Sequence, residues 1–182
     1  QSEDNPGHII PLPWSVRIAI ERFRDDINPG DVILINDPYS GGTHLNDVAV
    51  ICPVFVGGRL LLFPAIRAHW ADVGGMTPGS LSGTSTEIFQ EGVRIPPIKI
   101  YEGGKLVRGV ADRRGDLQAM IETCRTAERR IHEMAAKFGI DGLLEAIDVI
   151  LDRTEAQIRD LIGRIPDGTY VYEDYLDASG TT

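Results

Sequence analysis

The sequence predicts an α+β fold in which a small, mainly antiparallel sheet packs against two longer helices. Ten of the eleven prolines lie in residues 1–104, among short apolar runs separated by turn sequences, which is typical of strands and loops. Residues 105–166 contain few residues that break helices, and their apolar side chains recur at helical spacing. We therefore expect one domain, with a strand- and loop-rich part at 1–104 and a helical part at 105–182 that ends in a strand.

The first predicted elements are a helix and a buried strand. Ser15 is followed by apolar residues at helical spacing, which predicts an N-cap and a helix over about residues 14–26. The run Val32-Ile33-Leu34-Ile35 predicts a strand that is buried on both faces. Pro38 ends this strand, and a glycine-containing loop follows at 39–46.

A β-hairpin is predicted next. Residues 47–56 and 59–69 are strand-like, and Gly57-Gly58 between them has the composition of a two-residue primed turn. Residues 98–101 predict one more short strand. The intervening segment, 70–97, is a long loop rich in Gly, Ser and Pro, and loops of this length in compact domains are usually functional.

Two amphipathic helices are predicted in the second part. The first stripe ends before Gly139, which suits a helix C-terminus, and Asp141 can cap the next helix. Residues 166–168 end the second helix, and 169–175 predict a strand that runs towards the end of the chain, which indicates a fragment of a longer subunit. The stripes consist of Leu117, Met120, Ile121, Cys124, Ala127, Ile131, Met134, Ala135 and Phe138, and of Leu144, Ile147, Ile150, Leu151, Ile158, Leu161 and Ile162.

Composition narrows the possible environment and partners. The net charge is −9 and no basic cluster occurs, which argues against nucleic acid or an anionic membrane surface as a partner. No apolar run is long enough to span a membrane, and no secretion signal is recognisable. Cys52 and Cys124 form no CxxC motif and fall in apolar patterns, which favours reduced core thiols over a disulfide. We therefore expect a cytoplasmic protein.

The predicted hairpin groups residues that bind metals. A tight hairpin brings the start of its first strand beside the end of its second, so His44, Asp47, His69 and Asp72 can meet. Two imidazoles and a carboxylate suit Zn, Mn or Fe and leave positions open for water or substrate. Asp72, or Asp37 at the preceding strand end, could orient an imidazole from outside the ligand set. The alternative is that these histidines are polar residues that merely flank strands.

Other common catalytic motifs are missing from the sequence. The glycines at 41–42 and 103–104 lack the Gly-Lys-Ser/Thr continuation of an ATP-binding loop. No Gly-x-Ser-x-Gly sequence occurs, so a serine nucleophile is unsupported. Residues 86–97 crowd polar groups beside Phe89 and two prolines, which is typical either of a loop that faces a substrate or a subunit or of a solvated loop with one aromatic anchor.

Three long segments in order resemble the hydantoinase B/oxoprolinase family. They read NDPYSGGTHLNDV at 36–48, RAHWADVGG at 67–75 and TEIFQEGVRIPP at 86–97. The resemblance implies a cytoplasmic B-type subunit that works with an ATP-binding hydantoinase A-type partner, on which ATP and Mg²⁺ bind. It also implies a divalent metal, and its ligands carry over to His44, Asp47 and His69. Family subunits are several times longer, which again indicates a fragment.

Three functions follow as hypotheses. The first is an ATP-dependent hydrolase that opens lactam, hydantoin or 5-oxoproline rings, with Asp72 or Glu91 as a base or as a group that supports the metal site. The second is a ketone carboxylase of the acetone or acetophenone type, in which the metal would stabilise an enolate. The third is a non-catalytic assembly module whose helices pack on the partner and whose histidines are structural.

Overall fold

The computed structural model describes residues 6–80, 82–106 and 114–173, and it divides the chain into two compact units, Gln1–Ile140 and Asp141–Thr182. The first unit contains the sheet and the predicted site. As predicted, the fold is α+β with an antiparallel sheet and two longer helical segments. None of the helices in the described residues is both long and apolar enough to cross a membrane.

The strands of the first unit are β1 Val32–Ile35, β2 Asp47–Ile51, β3 Val54–Val56, β4 Arg59–Leu62, β5 Ala65–His69, β6 Ile98–Glu102 and β7 Lys105–Leu106. Five of them form an antiparallel main sheet, in the order β5-β2-β1-β6-β7. Strand β1 pairs with β2 on one side and β6 on the other, so it lies at the centre and all four of its residues are buried. A separate two-stranded sheet contains β3 and β4.

The predicted hairpin forms, but each of its long strands is broken in two. The breaks contain Pro53 and Pro64, which lack the N–H group that a continuous ladder requires. Across the breaks, the Cys52 N–H donates to the Pro64 carbonyl at 3.0 Å. The tip is β3 and β4 around the predicted Gly57-Gly58 turn, and the base is β2 and β5, in which Asp47 lies opposite His69.

Two helices, α1 Pro6–Ile9 and α2 Leu12–Phe23, precede the sheet. Ala19 of α2 packs in a cluster with Ile33, Ile35, Ala49 and Ile51, so α2 covers one face of the sheet. The prediction of Ser15 as N-cap is wrong. Pro11 occupies the N-cap, and a proline is tolerated at the start of a helix because no N–H donor is needed there. The helix ends at Phe23, before Arg24, whose φ is 43°.

The opposite face of the sheet is covered by α3, Arg114–Gly163, through the part of this helix that lies in the first unit. The predicted stripe residues Leu117, Met120, Ile121 and Cys124 are buried in one cluster with Val48, Val50 and Trp70. Both cysteines are free and buried, as predicted. The hydrogen bond between them, together with burial, raises the pKa of the Cys52 thiol.

Gly139 interrupts α3 with φ 76° and ψ 162°, so two helices meet at the predicted boundary. Met134 and Phe138, which the stripe pattern predicts to be buried, are exposed in the first unit. In the second unit, the stripe residues Ile150, Leu151, Ile158, Leu161 and Ile162 are exposed. The strand predicted at 169–175 does not form at Thr169 and Val171, because residues 169–173 are not in a strand. Tyr175 lies outside the described residues.

A buried ion pair stabilises the other end of the sheet. The ammonium of Lys99 on β6 lies 3.1 Å from Asp31 Oδ2 and 3.0 Å from Asp26 Oδ2. Asp31 is fully buried and also accepts hydrogen bonds from the backbone N–H groups of Asn28 and Gly103. Burial lowers the pKa of Lys99, but the two carboxylates outweigh it and raise this pKa overall.

Candidate metal centre

The site is built around Asp47, the first residue of β2. Its side chain has no exposed surface, and burial by itself raises the pKa of the carboxyl. Hydrogen bonds from Thr43 Oγ1, the ring of His69 and the backbone of His44 outweigh this effect and lower the pKa to about 2. The buried carboxylate is therefore negatively charged at neutral pH, and a buried charge needs cationic or hydrogen-bonding partners.

Two of the predicted histidines contact different oxygens of the Asp47 carboxylate. His69 is the register partner of Asp47 across β2 and β5, and its Nδ1 lies 2.8 Å from Asp47 Oδ1. His44 is in the loop before β2, and its Nδ1 lies 3.0 Å from Asp47 Oδ2. Strand pairing thus places His69 beside Asp47, and the three-residue spacing of the loop places His44 there.

A third imidazole, that of His8, was not anticipated from the sequence. His8 belongs to α1, and its Nε2 lies 3.2 Å from Asp47 Oδ1, the oxygen that His69 also contacts. The rings of His8 and His69 are parallel, with their centroids 6.3 Å apart. The sequence carries no spacing signal for His8, because it lies outside the hairpin and reaches Asp47 only when α1 packs near β5.

His8, Asp47 and His69 form a ligand set that fits a transition-metal ion. Each offers one donor atom, and these atoms all lie within 4.8 Å of one another. Donor atoms around a tetrahedral zinc ion are roughly 3.3 Å apart, given Zn–N and Zn–O distances of about 2.0–2.2 Å. The two His–Asp47 distances, 2.8 and 3.2 Å, are close to this spacing. His44 is outside this three-residue group, and its side chain is 77% exposed.

The two aspartates predicted to support the site hold loops through hydrogen bonds. Asp72 accepts from the N–H groups of Gly74 and Gly79, at 2.7 and 3.3 Å, and from the hydroxyl of Ser80 at 3.1 Å. Asp37 caps a short 3₁₀ helix, Pro38–Ser40, and lies 3.7 Å from the guanidinium of Arg94. The three-residue ligand set includes neither carboxylate.

A cavity of about 210 Å³ adjoins the site. His44 forms part of its wall, and the Nδ1 of the same residue lies 3.0 Å from Asp47 Oδ2. Glu91, the other predicted catalytic residue, also lines this cavity and is exposed to it. The remaining lining residues are Leu45, Asn46, Ser80 and Ser82.

Ordered loops surround this cavity. The side-chain amide of Asn46 donates to the Trp70 carbonyl at 2.8 Å, which links the loop before β2 to the segment after β5. Asn36 at the end of β1 donates to the carbonyls of Leu45 and Val93 and accepts from the N–H of Ile95. Asn36 therefore links the segment that follows Glu91 to the loop that carries His44.

Known proteins resemble this chain over most of its length. The chain is 32% identical to the beta subunit of the caprolactamase of Pseudomonas jessenii over 99% of its length, and 34% identical to the B subunit of a putative D-/L-hydantoinase of Pseudomonas sp. strain NS671 over 97%. The crystal structure of the ATP-dependent caprolactamase from P. jessenii superposes on 92% of the chain with a TM-score of 0.79.

The chain spans about a third of these relatives, covering 33% of the caprolactamase subunit, 31% of the hydantoinase subunit and 31% of the solved caprolactamase chain. The hydantoinase B/oxoprolinase family model matches residues 1–182. With a match over its whole length, the chain belongs to the hydantoinase B/oxoprolinase family.

Proposed function

We propose that this chain forms the metal-binding part of a B-type subunit in an ATP-dependent amidohydrolase that opens lactam, hydantoin or 5-oxoproline rings. The observation that carries the proposal is the buried, ionised carboxylate of Asp47 between the imidazoles of His8, His44 and His69. The names of the relatives, a caprolactamase and a hydantoinase, support the choice of cyclic amides as substrates.

We further propose that Asp47 and His69 hold a Zn, Mn or Fe ion, and that His8 and the more exposed His44 offer further nitrogen donors. A metal bound there supplies a Lewis acid that polarises an activated carbonyl or lowers the pKa of a bound water. Asp47 contributes the negative charge, and the imidazoles contribute neutral nitrogen donors of the kind that these metals prefer. Thr43 hydrogen-bonds to Asp47 Oδ2 and so orients the carboxylate.

The cavity beside His44 is the proposed position of the substrate ring. Glu91 lines it with a carboxylate that can accept a proton from an attacking water or from a ring nitrogen. We assign Asp72 a positioning role, because its hydrogen bond with Ser80 shapes the loop that forms another wall of the cavity. In this proposal ATP and Mg²⁺ are held by an A-type partner, and the buried reduced cysteines favour a cytoplasmic location.

Metal analysis after equilibrium dialysis tests the metal site. We expect the full chain to retain about one Zn, Mn or Fe ion, and we expect Asp47→Asn and His69→Ala to lose it. His132→Ala is the matched control, because His132 lies on an exposed face of α3. Wild-type metal content in the Asp47 and His69 variants would overturn the proposal and favour the non-catalytic assembly module.

The reaction is tested with the chain in complex with its ATP-binding partner. We expect lactams or hydantoins to stimulate ATP hydrolysis and to be consumed. We expect Glu91→Gln to lower kcat/KM about 100-fold with unchanged metal content, and Glu102→Gln, which alters an exposed β6 residue, to leave it unchanged. ATP hydrolysis that needs bicarbonate and a ketone would instead assign the complex to the carboxylases.

A further inference from the structure

Arg67 lies on the face of the sheet that carries the metal site. It precedes His69 by two positions on β5, and side chains two residues apart in a strand point to the same face. Its register partner on β2 is Ala49, which stands on that same face two positions after Asp47.

The guanidinium of Arg67 joins three separate segments of the chain. Its Nη1 donates to the backbone carbonyl of His8 at 3.4 Å, and its Nη2 donates to Ser15 Oγ at 2.6 Å and to the Gly41 carbonyl at 3.3 Å. Ser15 is fully buried in α2, and its hydroxyl donates in turn to the Gly41 carbonyl. One side chain therefore connects α1, α2 and the loop that leads to His44.

These contacts of Arg67 explain how His8, which lies far from the hairpin in sequence, reaches Asp47. The helix that carries His8 has only four residues, and helices this short do not hold their position without tertiary contacts. Arg67 fixes the backbone of His8, while the side chain of His8 reaches Asp47 Oδ1 at 3.2 Å. The planar guanidinium can serve several acceptors at once, which a lysine ammonium on a flexible stem cannot reproduce.

We propose that Arg67 is a positioning residue that holds His8 at the metal site. This inference rests on the proposed metal-binding function and adds to it one residue, Arg67, which acts through His8. Arg67 is not assigned any contact with the metal or the substrate.

The test is a double-mutant cycle read out by Co²⁺ affinity and by the Co²⁺ absorption spectrum, with the full chain. We expect Arg67→Lys and His8→Ala each to weaken Co²⁺ binding about 10-fold, as is typical when support around a metal ligand is lost. The double variant should bind no more weakly than His8→Ala alone, and both single variants should show the same change in spectrum. Arg59→Lys, which alters an exposed residue of β4, serves as the control and should bind as the wild type does.

Ser15→Ala supplies a second measurement in case Arg67→Lys fails to fold, as judged by circular dichroism. It removes one acceptor of the guanidinium and should weaken Co²⁺ binding about threefold, an effect that should vanish in the His8→Ala background. Wild-type Co²⁺ affinity in Arg67→Lys or Ser15→Ala would overturn the inference. So would a double variant with His8→Ala whose loss of Co²⁺ affinity equals the product of the two single losses. If His8→Ala binds normally while His69→Ala does not, the inference fails and the metal site stands. Normal binding in His69→Ala would instead refute the proposed metal site.

Discussion

Replacing Asp47 with asparagine should remove a defined part of the pH dependence of stability. The carboxyl has a pKa of about 2 in the folded chain against an ordinary value of 3.8. A group whose pKa is lowered by folding stabilises the fold above its unfolded pKa and loses that contribution as the pH falls towards its folded pKa. Asparagine keeps the shape of the side chain but does not titrate in this range.

The size of the effect follows from these two pKa values. Linkage gives the ionised carboxylate about 2 kcal/mol of unfolding free energy near pH 5 and roughly half of that near pH 3. The wild type should therefore lose about 1 kcal/mol more than Asp47→Asn between these two pH values. The Asp47 side chain is fully buried, so solvent screens its interactions only weakly.

Urea unfolding followed by circular dichroism, at pH 5 and at pH 3 with EDTA present, measures this difference. Asp25→Asn is the matched control, because Asp25 is exposed after α2, and it should show the wild-type loss. An equal loss in the wild type and Asp47→Asn would refute the reasoning. It would mean that the hydrogen bonds to Asp47 do not favour its ionised form in solution.

Three further predictions concern the fold. Asp31→Ala should lower the unfolding free energy by about 3 kcal/mol in urea titrations, because it leaves a buried ammonium without its buried partner. Gly42→Ala should cost about 2 kcal/mol, since a Cβ there would lie 2.4 Å from a backbone carbonyl oxygen, whereas Gly83→Ala should cost less than about 0.5 kcal/mol because its surroundings are open. Cys52 and Cys124 should react with an aromatic disulfide reagent only on global unfolding, since both thiols are buried and the raised pKa of Cys52 suppresses its thiolate further.

Each of these predictions has a clear contrary result. A stability change below about 1 kcal/mol for Asp31→Ala would show that the ion pair adds little to the fold. Equal costs for the two glycine variants would contradict the close approach at Gly42. Rapid reaction of either thiol in the absence of denaturant would show that the helix above the sheet opens locally.

Much of the fold could be predicted because its signals are local. The β1 run is apolar throughout, the Gly57-Gly58 pair adopts the positive φ angles that a primed turn needs, and Gly139 separates two helices. The strand breaks at Pro53 and Pro64 were missed, because the apolar pattern continues on both sides of each proline. Burial of Met134 and Phe138 was also mispredicted, since periodicity identifies a stripe but not how far along the helix the sheet reaches.

The candidate site, too, could be predicted only where its contacts depend on local sequence signals. Asp47 and His69 could be paired from the sequence because hairpin geometry fixes which residues lie opposite one another. His8 could not be found, because its approach depends on how a four-residue helix packs against β5. Glu91 could be identified only as one polar residue of a long loop, and the tertiary structure shows that this loop and His44 share a cavity.

The sequence by itself determined the α+β class, the hairpin, the boundary between the helices, and the His44, Asp47 and His69 group. These features follow from turn chemistry and side-chain periodicity, which act over a few residues. Only the tertiary structure decided the sheet order, the contact of His8 with Asp47 and the role of Arg67 as a link between three segments. The physical reason is that these contacts form when distant segments bury surface and satisfy one another's polar groups, and no local pattern specifies which segments will meet.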